Sequence, residues 1–150
     1  HLCASYGFLY PEFAKQLGCD PNIIRPHTIV LAYPVASTIM ETNSDTKKII
    51  TGGSEELAKK LSGPENVTSE YPPTYIWTTK VDQCVPMEHS VQMAEALKKH
   101  GVAYQFDLFD FGVHGGSLCN RAVYAPDFNF DEVAPNRMWI ENSVNFIFKK

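Results

Sequence analysis

The chain has 150 residues, 44% of them hydrophobic, enough for a single domain with a sizeable core. Its net charge is −4 and its basic residues are scattered, so no electrostatic footprint for nucleic acid appears. The longest apolar runs are strand-sized, which excludes a membrane-spanning helix among them, and no charged-then-apolar leader follows His1.

Residues 2–9, Leu-Cys-Ala-Ser-Tyr-Gly-Phe-Leu, suit a short internal helix in which small residues allow close approach, and Gly18-Cys-Asp-Pro21 is a turn cluster. Thr28 to Tyr33 is a nearly continuous apolar run ended by Pro34, the pattern of a strand buried on both faces. Residues 36–72 form a long polar connection with one helix in it. Ser54 caps that helix, Glu55 and Glu56 sit in its first turn, Lys59 and Lys60 near its end, and Gly63-Pro64 stops it. Thr74 to Thr79 is the next strand. Pro86 then opens a helix to about His100, with Val91, Ala94, Leu97 and Met87 on its packed face and Gly101 as its stop. Tyr104 to Phe109 is a further strand. Residues 115–135 carry turn formers and aromatics without clear period, and 136–150 form a helix with an apolar stripe of Met138, Ile140, Val144, Ile147 and Phe148. Strands alternating with helices predict an α/β fold with a mainly parallel sheet flanked by helices.

The chemistry concentrates where these elements meet. Thr74–Thr79, the helix after Pro86 and Tyr104–Phe109 make a strand–helix–strand crossover, which renders the two strands parallel. Both strands end on one edge of the sheet, so Asp82 and His114 leave neighbouring strand tips. An aspartate so placed can hold an imidazole in one tautomer and stabilise the imidazolium formed when it takes a proton. Ordinary turn and loop roles for the two residues remain open at this point. His27 and His100 sit at element ends, and His89 lies in the first two turns of a helix that faces solvent, so each is a weaker candidate. Tyr71, Tyr75 and Trp77 suit core packing better than a ligand box, and the pairs Lys47-Lys48 and Lys149-Lys150 suit solvated surface. Cys3, Cys19, Cys84 and Cys119 lack metal-ligand spacing, and free buried thiols are the expected state.

Several runs taken in order resemble the α/β-hydrolase superfamily, in its acetyl-esterase/lipase branch related to acetylxylan esterases. They are His1-Leu-Cys-Ala-Ser-Tyr-Gly7, Ile29-Val-Leu-Ala-Tyr-Pro-Val35, Pro72-Pro-Thr-Tyr-Ile-Trp77, Val81-Asp-Gln-Cys-Val-Pro86, Ala94-Glu-Ala-Leu-Lys-Lys-His-Gly101 and His114-Gly-Gly-Ser-Leu118. The resemblance implies a partial α/β-hydrolase fold in which residues 1–150 form the C-terminal portion of one domain. It implies a serine-type carboxylic-ester hydrolase that removes short acyl groups such as acetyl from a small-molecule or carbohydrate ester, with neither metal nor organic cofactor. By position Asp82 matches the family's triad acid and His114 its base, in the order Ser, Asp, His.

The family's run reads G-x-S-A-G-G-H-L, with the serine ahead of the His-Leu pair, whereas His1-Leu2 opens this sequence. The nucleophile, the early strands and the oxyanion-hole loop are therefore expected upstream, and the chain alone is expected to be inactive. Ser5, in Cys3-Ala-Ser-Tyr-Gly7, nearly spells the nucleophile motif but falls two turns down the helix. An uncovered sheet edge also predicts self-association. The 36–72 connection and the 115–135 loop are expected to frame the site's entrance. The alternatives are a prolyl-oligopeptidase-like peptidase domain and a non-catalytic pseudo-hydrolase that binds a ligand. Neither compartment nor acyl specificity follows from the sequence.

Overall fold

The structure, a computed structural model, describes residues 1–42, 44–124 and 129–148. Its elements in chain order are α1 (Leu2–Leu17), α2 (Pro21–Ile24), β1 (Ile29–Ala32), α3 (Ser44–Thr51), α4 (Glu55–Leu61), α5 (Gly63–Asn66), β2 (Thr74–Thr79), α6 (Glu88–Lys99), β3 (Tyr104–Phe109), α7 (Phe130–Val133), a 3₁₀ turn (Ala134–Arg137) and α8 (Met138–Phe148). The strands form a parallel sheet in the order β1-β2-β3, with Thr74 opposite Ile29 on one side and Tyr104 on the other. The expected class is thus observed: a parallel sheet with helices on both faces.

Side chains alternate across the sheet and divide the interior in two. Ile29, Leu31, Ile76 and Phe106 point to one face, where they meet Ala4 and Phe8 of α1 and Met93, Ala94 and Leu97 of α6. Val30, Ala32, Tyr75, Trp77 and Phe109 point to the other, against Trp139 and Phe146 of α8. The central strand β2 is buried along its whole length, while β1 pairs only with β2 among the described residues and buries Ile29 and Leu31 more fully than Val30 and Ala32. Tyr71, Tyr75 and Trp77 are core residues, at most 2% exposed.

Several local expectations need correction. Helix α1 does not end at residue 9 but runs past Pro11 to Leu17, where the Gly18 and Cys19 amides bond back to Lys15 and Ala14. Burial of Tyr10 and Ala14 outweighs the backbone bond that the proline forfeits. Gly7 lies against the Tyr71 ring so closely that a Cβ there would stand 2.4 Å from it, and the Tyr71 hydroxyl bonds the Ala4 carbonyl at 2.8 Å. The 36–72 connection holds three helical segments rather than one: Ser54 does cap α4, accepting from Leu57 N–H, but Gly63 and Pro64 begin α5 instead of only stopping a helix. The buried face of α6 is His89, Ser90, Met93, Ala94, Ala96 and Leu97, so Val91 is half-buried rather than central. On α8 Met138, Val144 and Phe148 are exposed, and Trp139, Ser143 and Phe146 face inward. Of the four free cysteines only Cys119 is buried; Cys3 and Cys84 are exposed. Lys149 and Lys150 lie outside the described residues.

The largest departure is His89, which is fully buried. Its Nδ1 accepts from Ser37 N–H at 3.1 Å and its Nε2 donates to the Glu41 carbonyl at 3.3 Å, tying the start of α6 to the segment after β1. That arrangement uses a neutral imidazole, and burial lowers the His89 pKa below its ordinary 6.5. The unfolded chain therefore takes up this proton first, and stability falls as pH drops below that ordinary value toward the lower folded one. Urea melts at a series of pH values between about 5 and 7 should show this slope, and His89→Gln should flatten it. Parallel curves for the two proteins would contradict the assignment.

Candidate active site

Beyond the carboxyl end of β2 the chain turns through Lys80 to Val85, and Asp82 organises the turn. Its Oδ1 accepts the amides of Cys84 at 2.9 Å and Val85 at 3.0 Å. Its Oδ2 lies 2.8 Å from His114 Nδ1, and the Asp82 side chain is 1% exposed against 32% for His114. A carboxylate held by two backbone amides offers only acceptors, so Nδ1 carries the proton and Nε2 is left as the basic nitrogen. The sequence-derived candidates Asp82 and His114 are therefore brought together, one from each adjacent strand tip.

The loop bearing His114 leaves β3 under tight control. Thr79 Oγ1 donates to the Gly112 carbonyl at 2.7 Å, and Asn136 Nδ2 donates to the Phe111 carbonyl at 2.7 Å. Gly112 has φ of 133°, and a Cβ there would stand 2.8 Å from Asn136 Nδ2, so the position needs glycine on both counts. Past His114, the Ser117 amide donates to the Tyr33 hydroxyl at 3.3 Å, and the Ser117 carbonyl accepts from Trp139 Nε1 at 2.8 Å and from Cys119 Sγ at 3.7 Å. The Tyr33 ring meets the imidazole with centroids 4.8 Å apart and planes at 67°.

A pocket of about 350 Å³ opens beside the pair, lined by Val81, Gln83, Cys84, Val113, His114 and Glu132 among others. The segment after residue 115 contributes to it through Glu132 and Val133. No described residue of the 36–72 connection lines it. Ile39, Lys47, Lys48 and Lys59 instead line a separate pocket of about 500 Å³.

Other candidates fall away from the pair. Ser5 is buried in α1, its hydroxyl on the His1 and Leu2 carbonyls. His27 is exposed and bonded to Thr28 Oγ1, His100 is exposed beyond α6, and His89 is occupied in the interior. Tyr33, Asn136 and Trp139 were not singled out from the sequence. The one signal for Tyr33 is its place at a strand's carboxyl end just before a proline.

No protein-family model matches the chain. It is similar to a carboxylesterase from Lactobacillus plantarum (TM-score 0.79, 25% identity, 97% of this chain and 53% of that one). It is also similar to an acetyl ester-xyloside bifunctional hydrolase from Caldicellulosiruptor lactoaceticus (TM-score 0.65, 28% identity, 96% of this chain and 65% of that one). Among curated proteins it is 30% identical over 134 residues to endo-1,4-beta-xylanase B of Butyrivibrio fibrisolvens, which covers 83% of this chain and 20% of that protein. The chain thus spans about half to two thirds of these solved structures, 53% and 65%, and a fifth of the curated relative, 20%.

Asn136 is itself buried, and removing its amide strips the part-buried Phe111 carbonyl of its side-chain donor. Asn136→Ala should destabilise the chain by about 1–3 kcal/mol in urea melts. An unchanged midpoint would show that this bond does not hold the loop.

Proposed function

With the chain forming part of an α/β-hydrolase fold shared with esterases, we propose that Asp82 and His114 are the acid and base of a serine-type carboxylic-ester hydrolase. The observation that carries this reading is the 2.8 Å bond from His114 Nδ1 to an Asp82 carboxylate already held by two backbone amides. The serine and the oxyanion donors belong to the part of the domain that these residues do not span. Residues 1–150 are then the C-terminal portion of that domain.

In this mechanism His114 Nε2 takes the serine hydroxyl proton as the serine oxygen attacks the ester carbonyl. Asp82 keeps the imidazole in the Nδ1–H form and stabilises the imidazolium. The same proton passes to the departing alcohol, leaving an acyl-enzyme, which water opens with His114 again as base. The name of the acetyl ester-xyloside hydrolase supports short acyl groups on sugars as the substrate class, and that of the xylanase supports only its carbohydrate part.

The 150-residue chain by itself should leave p-nitrophenyl acetate unhydrolysed above background, since the serine this reading requires belongs to the part of the domain that these residues do not span. Turnover by this chain that disappears in His114→Ala would overturn that expectation. In a longer protein that supplies the serine, Asp82→Asn should lower kcat by about 10⁴-fold, because the imidazole loses its required tautomer.

The free edge of β1 also favours self-association of the isolated chain. Sedimentation should show species larger than the 16.8 kDa monomer, and a clean monomer across a concentration series would count against it.

A further inference from the structure

Tyr33 closes β1 in a backbone conformation that tyrosine seldom adopts. Its φ is 38°, and Pro34 follows directly. Positive φ is uncommon for residues with a Cβ, and a following proline narrows the choice further, so contacts elsewhere must hold this strain. Those contacts are specific. The Tyr33 amide donates to the Trp77 carbonyl at 2.7 Å, and its ring packs edgewise on Trp77 with centroids 4.9 Å apart. Two further contacts go to the loop that carries His114: the ring on the imidazole at 4.8 Å, and the hydroxyl under the Ser117 amide.

We propose that Tyr33 is a positioning residue for His114, its turned backbone placing an aromatic wall against the imidazole. This rests on His114 acting as the base. The bond to Asp82 restrains Nδ1 alone, while rotation about Cα–Cβ and Cβ–Cγ can still swing the ring away from the carboxylate. The His114 side chain is 32% exposed, so its open side does not block that swing and a packed neighbour has to. The Tyr33 ring, packed against the imidazole at 4.8 Å, supplies that neighbour through carbon atoms that offer Nε2 neither an acidic proton nor a lone pair, so Nε2 keeps its basic role. The Ser117 latch carries the same restraint into the backbone beyond His114.

The test is the histidine ring ¹H–¹⁵N spectrum of the chain at a pH where imidazole is neutral, about 8. Wild type should show His114 protonated at Nδ1. Tyr33→Phe keeps the wall and should retain that pattern. Tyr33→Asn removes the wall while remaining compatible with positive φ, and should lose the pattern in favour of averaged tautomers, with the backbone amide spectrum still that of the folded chain. An unchanged His114 pattern in Tyr33→Asn overturns the proposal and leaves the Asp82–His114 pairing intact. Should Tyr33→Asn not fold, loss of the pattern in folded Tyr33→Phe overturns the wall as the restraint, since only the hydroxyl has gone. Absence of Nδ1 protonation in wild type overturns the pairing itself, and the proposal with it.

Discussion

Parallel pairing of β2 with β3 is the constraint on which the site depends. The helix α6 returns the chain to the starting edge of the sheet, so both strands run out on the same side. Register then matters as much as direction. Thr79 lies opposite Phe109, and the Lys80 amide donates to the Phe109 carbonyl at 2.8 Å, extending the ladder one step past the strands. From that shared origin the Asp82 turn and the Gly112 turn need only bend toward each other. A slip of one residue would put Thr79 on the wrong face and remove the hydroxyl that holds the Gly112 carbonyl.

The turns themselves are held by polar groups taken out of water and paired. Thr79 and Asn136 are almost fully buried, yet each donates to a main-chain carbonyl in the bend after β3. Asp82 is treated likewise, with three donors converging on its carboxylate. Each such bond adds little net stability, whereas leaving the buried partner unmade is expensive, so the bonds act mainly to exclude other conformations. The same face of the sheet has a comparable cluster farther from the Asp82–His114 pair: Tyr75 and Asn142 both bond the Asp107 carboxylate, which joins β2, β3 and α8. Burial and the neighbouring Asp107 carboxylate push the Tyr75 phenol well above its usual range, against an opposing effect of Asn142.

The α/β class is legible in the sequence because strand and helix periods alternate cleanly, and the meeting of Asp82 with His114 follows from topology alone. The roles proposed for them rest on resemblance rather than spacing. What escaped has physical reasons. Tyr33 reaches His114 across the intervening strand, and a positive φ announces itself in sequence only when glycine or asparagine occupies the position. His89 is a polar residue whose burial depends on an amide and a carbonyl in a distant segment. The inward face of α8 uses Trp139 and Ser143, so hydropathy alone selects the wrong stripe, and the extension of α1 past Pro11 is decided by tertiary burial over local propensity.

The bond between Trp139 and the Ser117 carbonyl has a consequence for how the molecule is made. A ribosome delivers Asp82, then His114, and only later Trp139, whose indole both pins the histidine loop and stacks on Trp77 at 5.3 Å. Until that tryptophan has emerged, Tyr33 can hold the Ser117 amide but the Ser117 carbonyl lacks its indole donor. The loop that carries His114 therefore gains this restraint late in synthesis, after every residue of the sheet, α1 and α6 has been made.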